Sequence, residues 1–312
     1  MNDHQPVLLT EVIEGLHIQP NGIYLDLTIG RGGHASQIYE KLKTGHLIGF
    51  DQDASAIASL QNWLSSRSRA SLYHMNFQYF PEVMSKLGIQ KVDGILMDLG
   101  VSSPQFDVPE RGFSYRFDGP LDMRMDQRQS TTAASILATA DIKTLTQYFR
   151  EYADETFAFP IAKAIVNQRV NQPLKTTFEL VNLIKKVKPA KALAKKGHPA
   201  KQVFQALRMA VNQEVEVLNR VLEAAVSYLG IHGRLAVISF HSGEDRIVKQ
   251  YFQKLTVSQG QRYGPERYMP IPSIQFEKVK PYPILPSEKE IKDNHRSESA
   301  VLRIIERIID EK

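Results

Sequence analysis

Gly30, Gly32 and Ala35 fit the G-x-G-x-x-G/A turn, where exposed backbone and a helix N-terminus meet a nucleotide. The turn follows an apolar run at residues 23–29. Asp51 stands about 20 residues further on, at the end of a second such run, residues 47–51. An acid at that place grips ribose hydroxyls. The spacing therefore predicts an adenosine-type cofactor in a crevice at the carboxyl edge of a parallel sheet. It does not choose between cofactors. The amides that suit a pyrophosphate also suit the methionine carboxylate of S-adenosylmethionine, so a nicotinamide-dependent oxidoreductase stays open here. The bland alternative is a tight turn needing glycine only for its dihedrals.

Further along, Asp98 closes another apolar run, residues 92–98, and Ser102 and Ser103 follow. A carboxylate there can receive the ammonium of a methionine moiety; otherwise it caps a turn. His241 follows another apolar run, residues 234–240, and would face the same crevice as a catalytic or substrate contact. A lone histidine is, however, more often structural. Phe106, Phe113, Tyr115 and Phe117 lie in an irregular segment after Asp98, with Asp122 and Asp126 as further candidate hydrogen-bond acceptors. Those rings suit either an unstacked base or a small core under a loop. Lys185, Lys186, Lys188, Lys191, Lys195, Lys196 and Lys201 form a basic stretch, read as a phosphate grip over the plainer solvated face.

The elements that would position these groups alternate through the first hundred residues. Strands are expected at 23–29, 47–51, 71–75 and 92–98, and helices at 34–42, 54–65 and 79–87. Near-continuous apolar strands between helices imply right-handed crossovers and one doubly wound sheet. The alternation stops after Asp98. Residues 105–126 are irregular, and 131–187 read as helices only, with Thr176, Thr177 and Glu179 giving an N-cap signal. A long helix is expected over 200–229, a turn at Gly230 and Gly233, a strand at 234–240 and a helix at 245–255. Residues 256–286 are proline-rich, with one strand near 274–279, and residues 299–305 are expected to close the sheet edge.

Composition sets outer bounds. The 312 residues are 42% hydrophobic and 23% charged, globular proportions with room for a second unit. A net charge of +5 is compatible with a polyanion without showing one. The absence of cysteine excludes disulfides, thiolate zinc sites and cysteine nucleophiles. With neither a signal-peptide pattern nor a membrane-length apolar run, the expectation is a cytoplasmic protein without membrane contact.

Six blocks, in order and nearly end to end, carry a likeness: HQPVLLTEV from His4, GRGGH from Gly30, DGILMDLGVSSPQ from Asp93, RGFSYRFDGPLDMRMD from Arg111, ISFHSGEDRIVK from Ile238 and SAVLR from Ser299. The chain resembles the bacterial 16S ribosomal RNA cytosine-N4 methyltransferase family, known as RsmH or MraW. The likeness implies an α/β, class I S-adenosylmethionine-dependent fold, Rossmann-like, with a mostly parallel seven-stranded sheet. Residues 1–104 and 200–312 would form the methyltransferase domain and 105–199 an inserted helical substrate-recognition subdomain. S-adenosyl-L-methionine contacts carry over to Gly32, Gly33, His34, Asp51, Phe77, Asp98 and Gln105. Asp98 and His241 are the catalytic candidates, and no metal is expected. The implied partner is 16S rRNA within the small ribosomal subunit, at one cytidine of its decoding region. The helical stretch 131–187 and residues 256–296 show little block similarity, so no contact is assigned there. A non-catalytic RNA-binding module on the same fold is the remaining alternative. The Asp/Asn-Pro-Pro-aromatic signature of many amino-directed methyltransferases is absent in its usual form, since the chain reads Asp98-Leu99-Gly100-Val101.

Overall fold

The computed structural model describes residues 6–256 and 275–309, apart from the side chains at 103 and 104. His4 and Gln5 of the first block, and residues 257–274 of the proline-rich stretch, lie outside the described residues. The chain forms two compact units, Met1–Gly100 with Val217–Lys312, and Val101–Glu216.

The first unit is built on β1 (Ile23–Asp26), β2 (His46–Asp51), β3 (Ala70–His74), β4 (Val92–Asp98), β5 (Leu229–Ser239), β6 (Phe276–Lys278) and β7 (Val301–Arg307). Their order is β3-β2-β1-β4-β5-β7-β6. The pairs from β3 through β5 are parallel, while β7 runs antiparallel to both β5 and β6. This is the mostly parallel seven-stranded α/β sheet that was expected. One expectation needs correction: β7 is not the edge strand, because β6 adds outside it. Both faces of the sheet are covered. Leu25, Ile48, Phe50, Ile95 and Val237 pack on one side, and Tyr24, Leu47, Leu96, Ala236 and Ile238 on the other. Neighbours in sequence thus bury opposite faces, which is why these strands read as unbroken apolar runs.

Strand order reverses between β1 and β4, and ligands bind above such a switch point. The chain leaving β1 stays tied to both neighbours. Leu27 donates its N–H to the Leu96 carbonyl at 3.0 Å, and Ile29 to the Phe50 carbonyl at 2.9 Å. The start of β5 is bulged: Leu229 pairs with Val92 and Arg234 with Gly94, so residues 230–233 loop out where a turn was expected.

The second unit is helical. Its helices Ala133–Thr139, Ile142–Glu151, Ala158–Asn171, Thr177–Val187 and Lys201–Asn212 bury a separate core including Leu145, Phe149, Ile161, Ile165, Leu180, Ile184 and Leu207. Thr176 caps the fourth of these helices, with Glu179 completing a reciprocal capping box. Two boundaries differ from the sequence reading. The single helix expected over 200–229 is two, Lys201–Asn212 and Glu214–Tyr228, separated at Gln213 with φ 49° and ψ 40°. The helical unit also extends from Val101 to Glu216, so residues 200–216 belong to it rather than to the second part of the sheet domain.

Candidate functional site

The glycine turn is set by its neighbours. Gly32, with φ +78°, precedes the helix Gly33–Lys41, and a β-carbon there would lie 2.7 Å from Leu60 Cδ2. At Gly33 a β-carbon would meet Pro6 Cγ at 2.3 Å, so only glycine lets residues 6–8 lie across the turn. Above Gly30 the backbone is open: a β-carbon there would find no nearer neighbour than the Thr28 carbonyl at 3.8 Å.

Asp51 ends β2 and reaches back to the turn. Its Oδ2 accepts the Gly30 N–H at 2.9 Å and its Oδ1 the Asp53 N–H at 2.8 Å. Burial pushes its pKa up to about 6, against the pull of those two amides. Each oxygen keeps a second lone pair for a ligand hydroxyl. Phe77 follows β3 in the short turn Phe77–Tyr79 and is half-buried; Asn76 caps that turn and is tied to Gln52 by a 2.7 Å hydrogen bond. The loops after β2 and β3 are therefore stitched together.

Asp98 ends β4, and its N–H donates to Thr28 Oγ1 at 2.7 Å. Its Oδ1 is buried and has no hydrogen-bond partner among the described residues, while the side chain keeps 27% of its surface open. Burial raises its pKa to about 8, with the charges of Asp26 and Glu244 adding to the shift. Asp26 was not singled out in the sequence, although an acid inside an apolar strand was a usable signal. It is buried at the end of β1, accepts the Thr28 N–H at 3.1 Å and is pushed up to about 7, chiefly by desolvation. Two carboxylates thus share the end of the switch-point strands. A carboxylate oxygen buried without a donor calls for a cationic or donor ligand. The ammonium of S-adenosylmethionine fits it, and the ribose hydroxyls fit Asp51.

His34 is buried beneath the turn. Nε2 faces the Val7 carbonyl at 2.9 Å, and Nδ1 lies 3.7 Å from Asp98 Oδ2. Burial lowers its pKa to about 4, so the ring is neutral, and the carbonyl requires the proton on Nε2. His241 is engaged by Glu244 at both nitrogens: Nδ1 accepts the Glu244 N–H at 3.3 Å and Nε2 lies 3.1 Å from its carboxylate. That gives His241 a capping duty at the helix Ser242–Thr256.

The remaining candidates belong to the helical unit. Gln105 is buried in the helix Ser103–Asp107, and its Oε1 accepts the Ser102 N–H at 3.1 Å. The Ser103 side chain lies outside the described residues. Asp122 and Asp126 are each held by a forked pair of arginine hydrogen bonds, from Arg124 and Arg128 at 2.8 Å. Phe113 joins the core, Tyr115 stacks on His198 with centroids 4.3 Å apart, and Phe106 and Phe117 are exposed. The aromatic segment therefore divides between core and surface. Lys188 must be removed from the basic stretch: it is buried, 2.6 Å from Glu155 Oε2 and 2.8 Å from the Pro199 carbonyl. The other six lysines are exposed.

Named proteins are similar to this chain over nearly its whole length. A protein of Spiroplasma kunkelii called ribosomal RNA small subunit methyltransferase H is 47% identical over 311 residues, covering 98% of each chain. Proteins of that name from Mesoplasma florum and Halothermothrix orenii are 47% and 43% identical, covering 98% and 99% of this chain and all of theirs. A sequence model of the MraW methylase family matches residues 1–308. The oxidoreductase reading of the glycine turn falls away with that match. The chain belongs to the MraW methylase family.

Proposed function

We propose that this chain transfers the methyl group of S-adenosylmethionine to N4 of a cytidine in the decoding region of 16S ribosomal RNA, cytidine 1402 in the usual numbering of that RNA. The observation that carries the cofactor half is the buried, unpartnered Asp98 oxygen at the switch-point end, beside a glycine turn tied to Asp51. The substrate half is supported by the name shared by relatives at 43–47% identity.

The bound donor supplies a sulfonium-activated methyl group, so no covalent enzyme intermediate is required. Asp51 holds the ribose, Phe77 lies beside the adenine, and Asp98 takes the ammonium. Gly32, Gly33 and His34 shape the turn that receives the amino-acid end, and Gln105 adds a further contact. Cytosine N4 is a weak nucleophile because its lone pair is delocalised into the ring. An acceptor aimed at the amino hydrogens localises that pair as the new bond forms, and binding that strengthens only then raises the rate. Asp122 and Asp126 are committed to arginines, so the acceptors left to this reading are the Asp98 oxygen not taken by the ammonium and the backbone carbonyls of the Ser102–Ser103 segment. Proton loss follows methyl transfer, so no strong base is needed and His241 can remain a substrate contact. The exposed lysines of 185–201 grip RNA phosphates, and the enzyme acts in the cytoplasm on the small ribosomal subunit.

The test is methyl transfer to small-subunit particles from a strain lacking the gene, with the modified nucleoside read by mass spectrometry. N4-methylcytidine at the named position supports the proposal. A different nucleoside refutes the substrate, and RNA binding without product favours the non-catalytic module.

A further inference from the structure

The N-terminal residues 6–8 cross the glycine turn, and a residue near the far end of the chain holds them there. Pro6 occupies the space that a side chain at Gly33 would need. Val7 turns its carbonyl onto His34 Nε2 at 2.9 Å. Leu8 is fully buried with φ 53° and ψ 36°, a left-handed conformation that a β-carbon disfavours and that persists only where its surroundings hold it. Its N–H donates to Glu290 Oε1 at 2.7 Å, while its carbonyl accepts the Val12 N–H and opens the helix Leu9–Leu16.

Glu290 is itself anchored. It lies in the helix Glu288–Asp293, whose cap Ser287 accepts the Glu290 N–H, and the chain continues through His295–Ser299 into β7 in the sheet. A buried amide left without its acceptor is costly. Loss of the Glu290 carboxylate would therefore free the strained Leu8 and shift the Val7 carbonyl beside it. His34 would then lose the acceptor that keeps its proton on Nε2 and its bare Nδ1 toward Asp98.

We propose that Glu290 is a positioning residue for the cofactor turn: through the Leu8 amide it holds the Val7 carbonyl on His34 and so selects the imidazole nitrogen that faces Asp98. The effect on cofactor affinity rests on the function proposed above; the effect on His34 does not.

The test compares full-length wild type with Glu290→Ala, Glu290→Asp and Glu290→Gln. Glu290→Asp withdraws the acceptor by one methylene, and Glu290→Gln keeps an oxygen in place. Proton–nitrogen correlation spectra of the ligand-free protein report the His34 tautomer, and calorimetry reports S-adenosylmethionine affinity. In Glu290→Ala and Glu290→Asp the His34 ring should become a mixture of tautomers. Affinity should fall about fivefold to tenfold, with KM for the donor raised and kcat at saturation little changed. Glu290→Gln should restore both. If Glu290→Ala does not fold, the Asp and Gln pair carries the comparison. An unchanged His34 signal in Glu290→Asp, or a Gln variant as impaired as Asp, overturns the proposal. A wild type that ignores the donor, together with a His34 change in Glu290→Asp, would refute the proposed function and leave the positioning role standing.

Discussion

Asp51 holds Gly30. The 2.9 Å hydrogen bond from the Gly30 amide to Asp51 Oδ2 means that the end of β2 shapes the turn leaving β1. The same carboxylate is the one proposed to hold the ribose, so on that reading cofactor grip and turn geometry depend on one side chain. Asp51→Ala should weaken S-adenosylmethionine binding about 10- to 100-fold, and Asp51→Asn less, because one oxygen remains. Calorimetry checks this; an alanine variant binding like wild type would remove Asp51 from the site.

Asp26 and Asp98 give the ligand-free protein a pH signature. Both pKa values are raised by burial, to about 7 and about 8, far above the range of an unfolded carboxylate. The folded state therefore binds protons more tightly than the unfolded one between about pH 4 and 8. Their stabilising contribution is complete below that window and is lost as pH rises through it. Melting temperature should fall more steeply between pH 5 and 8 in wild type than in Asp98→Asn. On the proposed reading the donor's ammonium pairs with an ionised Asp98, so its affinity should rise over the same interval. A pH-independent difference between wild type and Asp98→Asn would contradict the assignment.

The lysine stretch predicts a salt dependence. Neutralising Lys185, Lys186, Lys191, Lys195 and Lys196 should weaken RNA binding at low salt. It should also reduce the slope of log affinity against log salt by about 0.7–0.9 for each phosphate no longer neutralised. Filter binding across a salt series reads the slope, and an unchanged slope would leave these residues as a solvated face.

Lys188 should behave in the opposite way. Its ammonium is buried against Glu155, which is 2% exposed, so Lys188→Ala strands a buried carboxylate. The expected cost is about 3–5 kcal/mol of stability, read by urea unfolding. A loss of RNA affinity without destabilisation would restore the surface role.

What was legible in the sequence followed from local patterning. β4 was expected at 92–98 and lies there because strands covered on both faces leave an unbroken apolar run. The helix Thr177–Val187 was equally plain from its capping box. The break at Gln213 was hidden, since a non-glycine residue in left-handed conformation leaves the helical period on either side intact. A charge run does not reveal which lysine turns inward, so Lys188 was grouped with its exposed neighbours. The glycine turn and Asp51 were visible, but Glu290 was not, because no local pattern marks a hydrogen bond across 282 positions.

That span has a consequence for the growing chain. A ribosome that has made the glycine turn, all of β1 to β5 and the helical unit has still not delivered the carboxylate that receives the Leu8 amide. Nascent or prematurely terminated products ending before residue 290 carry the turn without its anchor. Full donor affinity should therefore be reached only once residue 290 has been made, later than every strand that flanks the turn.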